Sequence, residues 1–303
     1  LMNIDYSPSF LAGTYISKIL NQQGMKTPTL SLDDAIKNNI KCDAVFNVYY
    51  GDIGDGGIIS GILEHNGVVC VGNDQYSSSL MLNKVISKIL FAQNGYLTPP
   101  FWYQPSAQKT EGALVDEVEN ILSYPVMIKA VTGAASENIN LIKDKKSLLD
   151  FITKNRAMLD GGYYFIEQFI RGRELSAGYV NAIGRALPVV EIRLKGEEYQ
   201  NNKTKFSPGF KENIIPAKID PKIYKGVQEI AQNLNSIFKC RAFSRTDMIY
   251  DERGKKLYIL EINTNPGLLE KSLLPLMARV GGVGEGEFFL KLLNRSIELA
   301  RGK

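Results

Sequence analysis

The sequence is poor in the residues that usually announce a chemistry. It has one histidine, one tryptophan and three cysteines in 303 residues. Cys42, Cys70 and Cys240 are odd in number and widely spaced, which gives neither a zinc pattern nor a disulfide framework and leaves buried, reduced thiols of a cytosolic protein. His65 stands at a helix C-terminus before Asn66-Gly67, where it meets the helix dipole, and with no Ser, Cys or carboxylate partner in view it receives no catalytic role. No run approaches the roughly 18 apolar residues of a membrane helix. Nothing at the start reads as a signal peptide. The opening LMNIDYSPSF leaves little room for a strand before the first helix, so residues of the natural N-terminus are expected to be missing.

Charge of one sign is also lacking. Lys and Arg number 36 against 32 Asp and Glu, a net charge of +4, and no dense basic block marks a nucleic-acid or membrane partner. Phosphate-bearing small molecules need only a few placed lysines and stay open. The length is enough for one large domain or two to three smaller ones. Trp102 and the tyrosines read as packing rather than a base-stacking platform.

What is present alternates. Ser9 to Gln22 is predicted helical, Ala44 to Val48 a strand entering the glycine-rich turn YYGDIGDGG, Ile58 to Glu64 a helix and Val68 to Val71 a strand. That alternation predicts a parallel sheet covered by helices. A helix is expected from Ser77 to about Asn94, capped by Gly95 ahead of Pro99-Pro100. Strands follow at Val126 to Lys129, Asn138 to Ile142 and Tyr163 to Glu167, with a helix from Ser147 to about Asn155. Glu174 to Val180 and Leu187 to Ile192 read as antiparallel strands, and Lys195 to Lys211 as a long polar loop of the kind that serves as a lid.

The stretch LEINTNPG, Leu260 to Gly267, puts a carboxylate and an amide two residues apart in an apolar strand. Phe243 to Tyr250 and Leu257 to Asn263, joined by Asp251-Glu-Arg-Gly254, form a predicted hairpin. If it is centred near Gly254, Asp247 opposes Glu261 and Arg245 opposes Asn263, all four on one face, with opposed pairs roughly 4.5–5.5 Å apart. Two readings of that face stand. One is a Mg²⁺ site of hard oxygen ligands with Arg245 serving a phosphate or oxyanion. The other is a polar hairpin face open to solvent, with Arg245 pairing with a carboxylate. The Asn265-Pro266-Gly267 turn ahead of a helix is anion-receptive and favours the first.

These residues carry a family resemblance. The motifs SRTDMIYD, LEINTNPGLLEKSLLP and FIEQFIRGRELSAGY, with the weaker PVMIKAV and GNDQYSSSLMLNKVISKILFAQNGYLTPPF, fall in one order over nearly the whole chain. In this the chain resembles the ATP-grasp carboxylate–amine ligases, most closely the D-alanine–D-alanine ligases. The resemblance implies an α/β chain, α+β in its C-terminal two-thirds, with an ATP-grasp fold of three domains. These are an N-terminal substrate domain (1–83, a parallel sheet covered by helices), a central lid domain (84–178) and a C-terminal domain (179–303) carrying a mobile loop at 195–211.

The residue roles it implies are as follows. Asp247, Glu261 and Asn263 look like the metal ligands, with Arg245 steadying the reacting groups. Lys84 and Lys129 look like the lysines on the ATP phosphates, joined by Ser136 of the phosphate-covering loop. Glu167, Gln168 and Ile170 match the segment holding adenine, and Glu174 the carboxylate on ribose. Lys205 matches a mobile-loop lysine closing over the γ-phosphate. Gly267, Ser272 and Leu273 match positions holding the tetrahedral intermediate and the second substrate. The implied cofactors are ATP and two Mg²⁺ ions, with Mn²⁺ as a substitute, and the implied partners are amino-acid substrates and a second copy of the chain. The implied reaction joins D-alanyl-D-alanine-type dipeptides, peptidoglycan precursors, through an acyl phosphate in the cytoplasm.

Departures fall on the substrate side. Ser7 stands where the family carries the glutamate that receives an ammonium, Tyr50 replaces a histidine, and the nearby acidic pair becomes Asp55-Gly56. Ala135-Ser136 replaces paired serines, Phe206 replaces a tyrosine beside Lys205, and Lys271 replaces a histidine before Ser272. Three expectations follow: a D-alanine–D-alanine ligase with a divergent first site, a related ligase with another amino acid or a hydroxy acid, or a nucleotide-binding protein without ligase activity.

Overall fold

The computed structural model describes residues 8–28, 31, 33, 37, 42–105, 108–133, 139–196, 198–199 and 209–301. Ser7, Ser136, Lys205 and Phe206 lie outside the described residues. The N-terminal third builds α1 (Pro8–Gln22), β1 (Ala44–Phe46), α2 (Asp52–Asp55), α3 (Ile58–His65) and β2 (Val69–Val71). β1 and β2 pair in parallel, as the alternation requires, with Ala44 opposite Val69. The turn YYGDIGDGG contains α2, a single helical turn in which Gly51 at φ 83° supplies the left-handed entry that a side chain would resist. The first core joins Ile16, Ile19 and Leu20 of α1 to Phe288 and Phe289 near the C-terminus.

The helix expected from Ser77 to Asn94 is two helices, α4 (Gln75–Leu82) and α5 (Lys84–Gln93). Asn83 interrupts them because its side-chain oxygen accepts from the backbone N–H groups of Val85 and Ile86, offering the chain a new N-cap. The break starts α5 at Lys84, whose own N–H is held by the Val131 carbonyl at 2.8 Å.

Next come β3 (Phe101–Trp102), α6 (Glu111–Ile121), β4 (Val126–Ala130), β5 (Asn140–Ile142), α7 (Lys145–Lys154), α8 (Arg156–Asp160) and β6 (Tyr164–Gln168). The strands form an antiparallel sheet in the order β3-β6-β4-β5. Period-two alternation sorts its residues: Ile128 and Ile166 pack against Leu114, Val118 and Leu148 of α6 and α7, while Met127, Lys129, Phe165 and Glu167 face a cleft.

The largest sheet holds β7 (Arg173–Val180), β8 (Arg185–Ala186), β9 (Val190–Leu194), β10 (Lys211–Ile214), β11 (Phe243–Asp251) and β12 (Lys256–Asn263), in the order β10-β9-β7-β11-β12 with β8 on β7. The strand expected from Leu187 starts at Val190, because Leu187 and Val189 give their N–H groups to the Gly178 carbonyl and the Tyr224 hydroxyl. One face packs Leu175, Ala177, Met248, Ile259 and Ile262 on Val227, Ala231 and Leu234 of α9 (Pro221–Ile237). Burying each Val or Leu there contributes about 1.5–3 kcal/mol. α10 (Leu273–Val280) and α11 (Glu285–Arg301) close the chain. Among the described residues no helix is long and apolar enough to cross a membrane.

The hairpin register is the expected one, Arg245 opposite Asn263 and Asp247 opposite Glu261, for a reason that spacing alone does not supply. At the turn, Asp251 pairs with Lys256 and Met248 with Ile259, so uninterrupted pairing would set Asp247 against Leu260. A β-bulge at Leu260 inserts one residue and shifts the register. Ile259 therefore faces α9, whereas Leu260, Glu261 and Asn263 face the cleft. Without the bulge, Glu261 and Asn263 would point into the helix-packed core.

Candidate active site

The cleft between the two antiparallel sheets has a volume of about 920 Å³. Its floor is the bulged hairpin and β7, where register places Glu174, Ser176 and Gly178 opposite Ile249, Asp247 and Arg245. Asp247, 9% exposed, is fixed from three sides. Arg245 forms a fork on it, Nε to Oδ1 at 2.9 Å and an Nη to Oδ2 at 2.7 Å. The Ser176 hydroxyl donates to Oδ1 at 2.6 Å, and the Asn263 amide to Oδ2 at 3.0 Å. Burial works against the Arg245 cation, and Asp247 beside it more than offsets this and keeps it charged. The Asn263 amide nitrogen also lies 3.5 Å from Glu261 Oε1. It is thus the nitrogen that faces the carboxylates here, and turning the amide over presents its oxygen.

Two carboxylates and an amide are a hard donor set that fits Mg²⁺ with its remaining positions left to phosphate and water. Among the described residues, no group of three or more His, Cys, Asp and Glu gathers as a metal site. Glu261 is the looser member, with the Lys84 ammonium 3.8 Å from its Oε2.

The opposite wall carries a buried charge cluster. Glu167, 2% exposed, lies between Lys129, 2.5 Å from Oε1, and Lys88, 2.7 Å from Oε2. Lys88 is 1% exposed and also donates to the Thr98 hydroxyl at 2.8 Å, which donates to the Ile259 carbonyl at 2.9 Å. This chain links the wall that bears Glu167 to the strand that bears Glu261. Burial raises the Glu167 carboxyl, and the two lysines overcome it, leaving the group below the usual carboxylate range. Burial pushes Lys88 down despite Glu167, whereas Lys129, nearer the opening, ends above the ordinary lysine value because Glu167 outweighs its burial. One carboxylate between two ammonium groups leaves a net positive wall, suited to phosphate.

At the other end, Tyr50, Asp55, Asn265, Gly267 and Ser272 meet. The Leu268 N–H donates to the Tyr50 hydroxyl at 3.3 Å, and Asn265 ties Asp55 Oδ1 at 3.0 Å to the Tyr49 carbonyl at 2.8 Å. The Ser272 hydroxyl accepts from the Leu269 N–H at 3.1 Å. A Cβ on Gly267 would stand 2.8 Å from that hydroxyl oxygen. Gly267→Ala is expected to break the Leu269 hydrogen bond, costing about 1 kcal/mol in a urea titration.

The sequence-predicted residues Arg245, Asp247, Glu261, Asn263, Lys84, Lys129, Glu167, Gln168, Ile170, Glu174, Tyr50, Gly267, Ser272 and Leu273 all line this one cleft. Two also hold groups of the protein itself. The Gln168 side chain donates to the Ser123 carbonyl and accepts from the Ser123 N–H. The Lys84 ammonium holds the Gly133 carbonyl at 2.7 Å. Lys88 and Ser176 were missed. Lys88 lies one helical turn beyond Lys84 and so shares its face, a usable signal. Ser176 follows Glu174 by two in β7, also a usable period.

A family model, D-ala D-ala ligase C-terminus, matches residues 90–294. The D-alanine–D-alanine ligase of Syntrophobacter fumaroxidans is 32% identical over 86% of this chain and 81% of its own length. The crystal structure of the D-alanine–D-alanine ligase from Bacillus anthracis superposes with a TM-score of 0.82 at 20% identity, covering all of this chain and 96% of that one; the same enzyme is also known complexed with ATP. The D-Ala:D-Ser ligase VanG of Enterococcus faecalis is 29% identical, with a TM-score of 0.70 over 85% of this chain and 74% of that one.

Proposed function

Because the chain belongs to the D-alanine–D-alanine ligase family, we propose that it joins two amino acids in this cleft, at the expense of ATP, into a D-alanyl-D-alanine-type dipeptide with release of ADP and phosphate. The observation that carries this is the Arg245–Asp247–Glu261–Asn263 face lying in one cleft with Lys84, Lys88 and Lys129. Carboxylate donors, an arginine and lysines supply what phosphoryl transfer requires: positions and charge stabilisation.

The triphosphate lies between the lysine wall and the hairpin, with adenine along Glu167 to Ile170 and ribose at Glu174. Asp247, Glu261 and Asn263 would hold Mg²⁺, which would supply neutralisation of the phosphate charge. A carboxylate oxygen of the first amino acid attacks the γ-phosphorus, the bond to the β-phosphate oxygen breaks, and ADP leaves. The second amino acid, having lost a proton from its ammonium, attacks the acyl carbon. The C–O bond breaks, phosphate departs with the electron pair and takes up the proton lost from nitrogen, and an amide remains. Arg245 and the Gly267 N–H stabilise the oxyanion formed on the way. Lys205 and Ser136 keep the roles that the resemblance implies, over the γ-phosphate and at the ATP phosphates, and Phe206 that of a substrate residue. Ser7 is the remaining candidate for the first-substrate side. The same reading keeps units 1–83, 84–178 and 179–303, a homodimer, a cytoplasmic site of action and a peptidoglycan-precursor product.

The test is phosphate release from ATP and Mg²⁺ with D-alanine, L-alanine, D-serine and D-lactate, and mass spectrometry of the product. D-alanine is expected to stimulate release and give the dipeptide. Tight ATP binding with no stimulation by any of them would overturn the ligase reading.

A further inference from the structure

The carboxylates around the cleft differ in their partners. Glu167 has Lys88 and Lys129, Glu191 has Arg173 and Arg193, Glu198 has Lys143 and Arg171, and Asp247 has Arg245. Glu261 lies within 3.8 Å of Lys84, and Glu174 contributes to the fields at Lys129 and Arg245. Asp55 is different. It lines the cleft, yet among the described residues no cation lies within ion-pair distance of it. The charged neighbours acting on it are Asp52 and Glu261, both negative.

Asp55 is nevertheless held in place. Oδ1 accepts from Asn265 at 3.0 Å and Oδ2 from the Gly51 N–H at 2.9 Å. A carboxylate accepts about four hydrogen bonds, so each oxygen keeps a lone pair for a further donor. The Asn265 that orients it is two residues from Gly267, at the acyl-transfer end of the cleft. A buried carboxylate among like charges is costly unless a cation arrives.

We propose that Asp55 receives the ammonium group of the amino acid whose carboxylate is activated, taking the counter-charge role within the cleft floor itself. This rests on the ligase reading above. An α-amino acid has its two charges a few bonds apart, and the structure places a clamped carboxylate beside the turn that carries Gly267. An acid lacking the ammonium leaves Asp55 unpaired, which makes Asp55 a specificity-determining residue against hydroxy acids and simple carboxylic acids at this site.

The experiment uses the full chain with ATP, Mg²⁺ and D-alanine. Asp55→Asn is expected to raise KM for the first amino acid by about 30-fold or more, with KM for ATP within about threefold of the parent. Asp55→Glu retains the charge and is expected to recover most of the loss; it also serves if Asp55→Asn does not fold. In the parent, burial among Asp52 and Glu261 raises the Asp55 pKa to about 6. The ionised form is therefore lost as pH falls through 6, and kcat/KM for the amino acid is expected to fall with it. Tyr50 beside it stays neutral, its pKa raised by burial. The Asp55→Asn profile is expected to lose that acidic limb. An active parent whose amino-acid KM is unchanged in Asp55→Asn overturns the assignment and leaves the ligase reading intact. A parent inactive with every amino acid overturns both.

Discussion

Glu261→Gln is expected to lower kcat for ATP-dependent ligation by about 10²-fold or more while moving Tm by less than roughly 2 °C. The two halves of that expectation come from the same geometry. Glu261 stands 3.8 Å from Lys84 and 3.5 Å from Asn263, and its side chain is 31% exposed. A partly exposed pair of that kind contributes about 0–1 kcal/mol to folding. In the proposed function its charge completes, with Asp247, the anionic donor set for Mg²⁺. Asp247 would be a poorer probe, because its removal strands a buried guanidinium and confuses folding with function. Steady-state kinetics across a Mg²⁺ titration, with a thermal melt alongside, provides the check. The substitution should also raise the Mg²⁺ concentration needed for half-maximal rate, and an unchanged kcat would remove Glu261 from the metal site.

Lys88→Met is expected to destabilise the fold by about 3 kcal/mol, the lower end of what breaking a buried ion pair costs, because Glu167 keeps Lys129. Met conserves length and most of the volume, so the loss reports charge and hydrogen bonding rather than a cavity. The Thr98 hydroxyl loses its lysine donor at the same time. The double variant Lys88→Met/Glu167→Gln is expected to recover part of the loss, since the buried carboxylate is neutral in it, and urea titrations of the four proteins measure the coupling. The cluster also sets an acid limit. Glu167 is depressed in the folded state, so the stability it contributes is present above the usual carboxylate range and is lost as pH falls through its lowered value. Additive effects of the two substitutions would show that Lys88 and Glu167 do not act as a pair.

Much of this was legible in the sequence because period two is a strong constraint on a sheet. Arg245, Asp247, Glu261 and Asn263 were placed on one face and are found there. The agreement depends on the bulge at Leu260, which pairing symmetry cannot reveal. The symmetric turn centre assumed near Gly254 differs by half a residue from the actual one, and the bulge restores the difference. The Ser77 to Asn94 helix was misjudged because helical spacing continues through Asn83, and only the side-chain competition for the Val85 and Ile86 N–H groups ends it. Spacing from Lys84 gives the face of Lys88, but its burial was unreadable for a different reason: it is decided by Glu167, some eighty residues away. The Asp55 environment depends likewise on Asn265 and Glu261, which reach it only through the fold.

The most direct measurement is the fate of carboxylate oxygen. D-alanine labelled with ¹⁸O in its carboxyl group is supplied with ATP and Mg²⁺, and the released phosphate is analysed by mass spectrometry. Attack of the carboxylate on the γ-phosphorus beside Arg245, Asp247, Glu261 and Asn263 requires one ¹⁸O in each phosphate that accompanies a dipeptide. Dipeptide formed with unlabelled phosphate, or labelled D-alanine recovered unchanged with no dipeptide, would rule out acyl phosphate chemistry in this cleft.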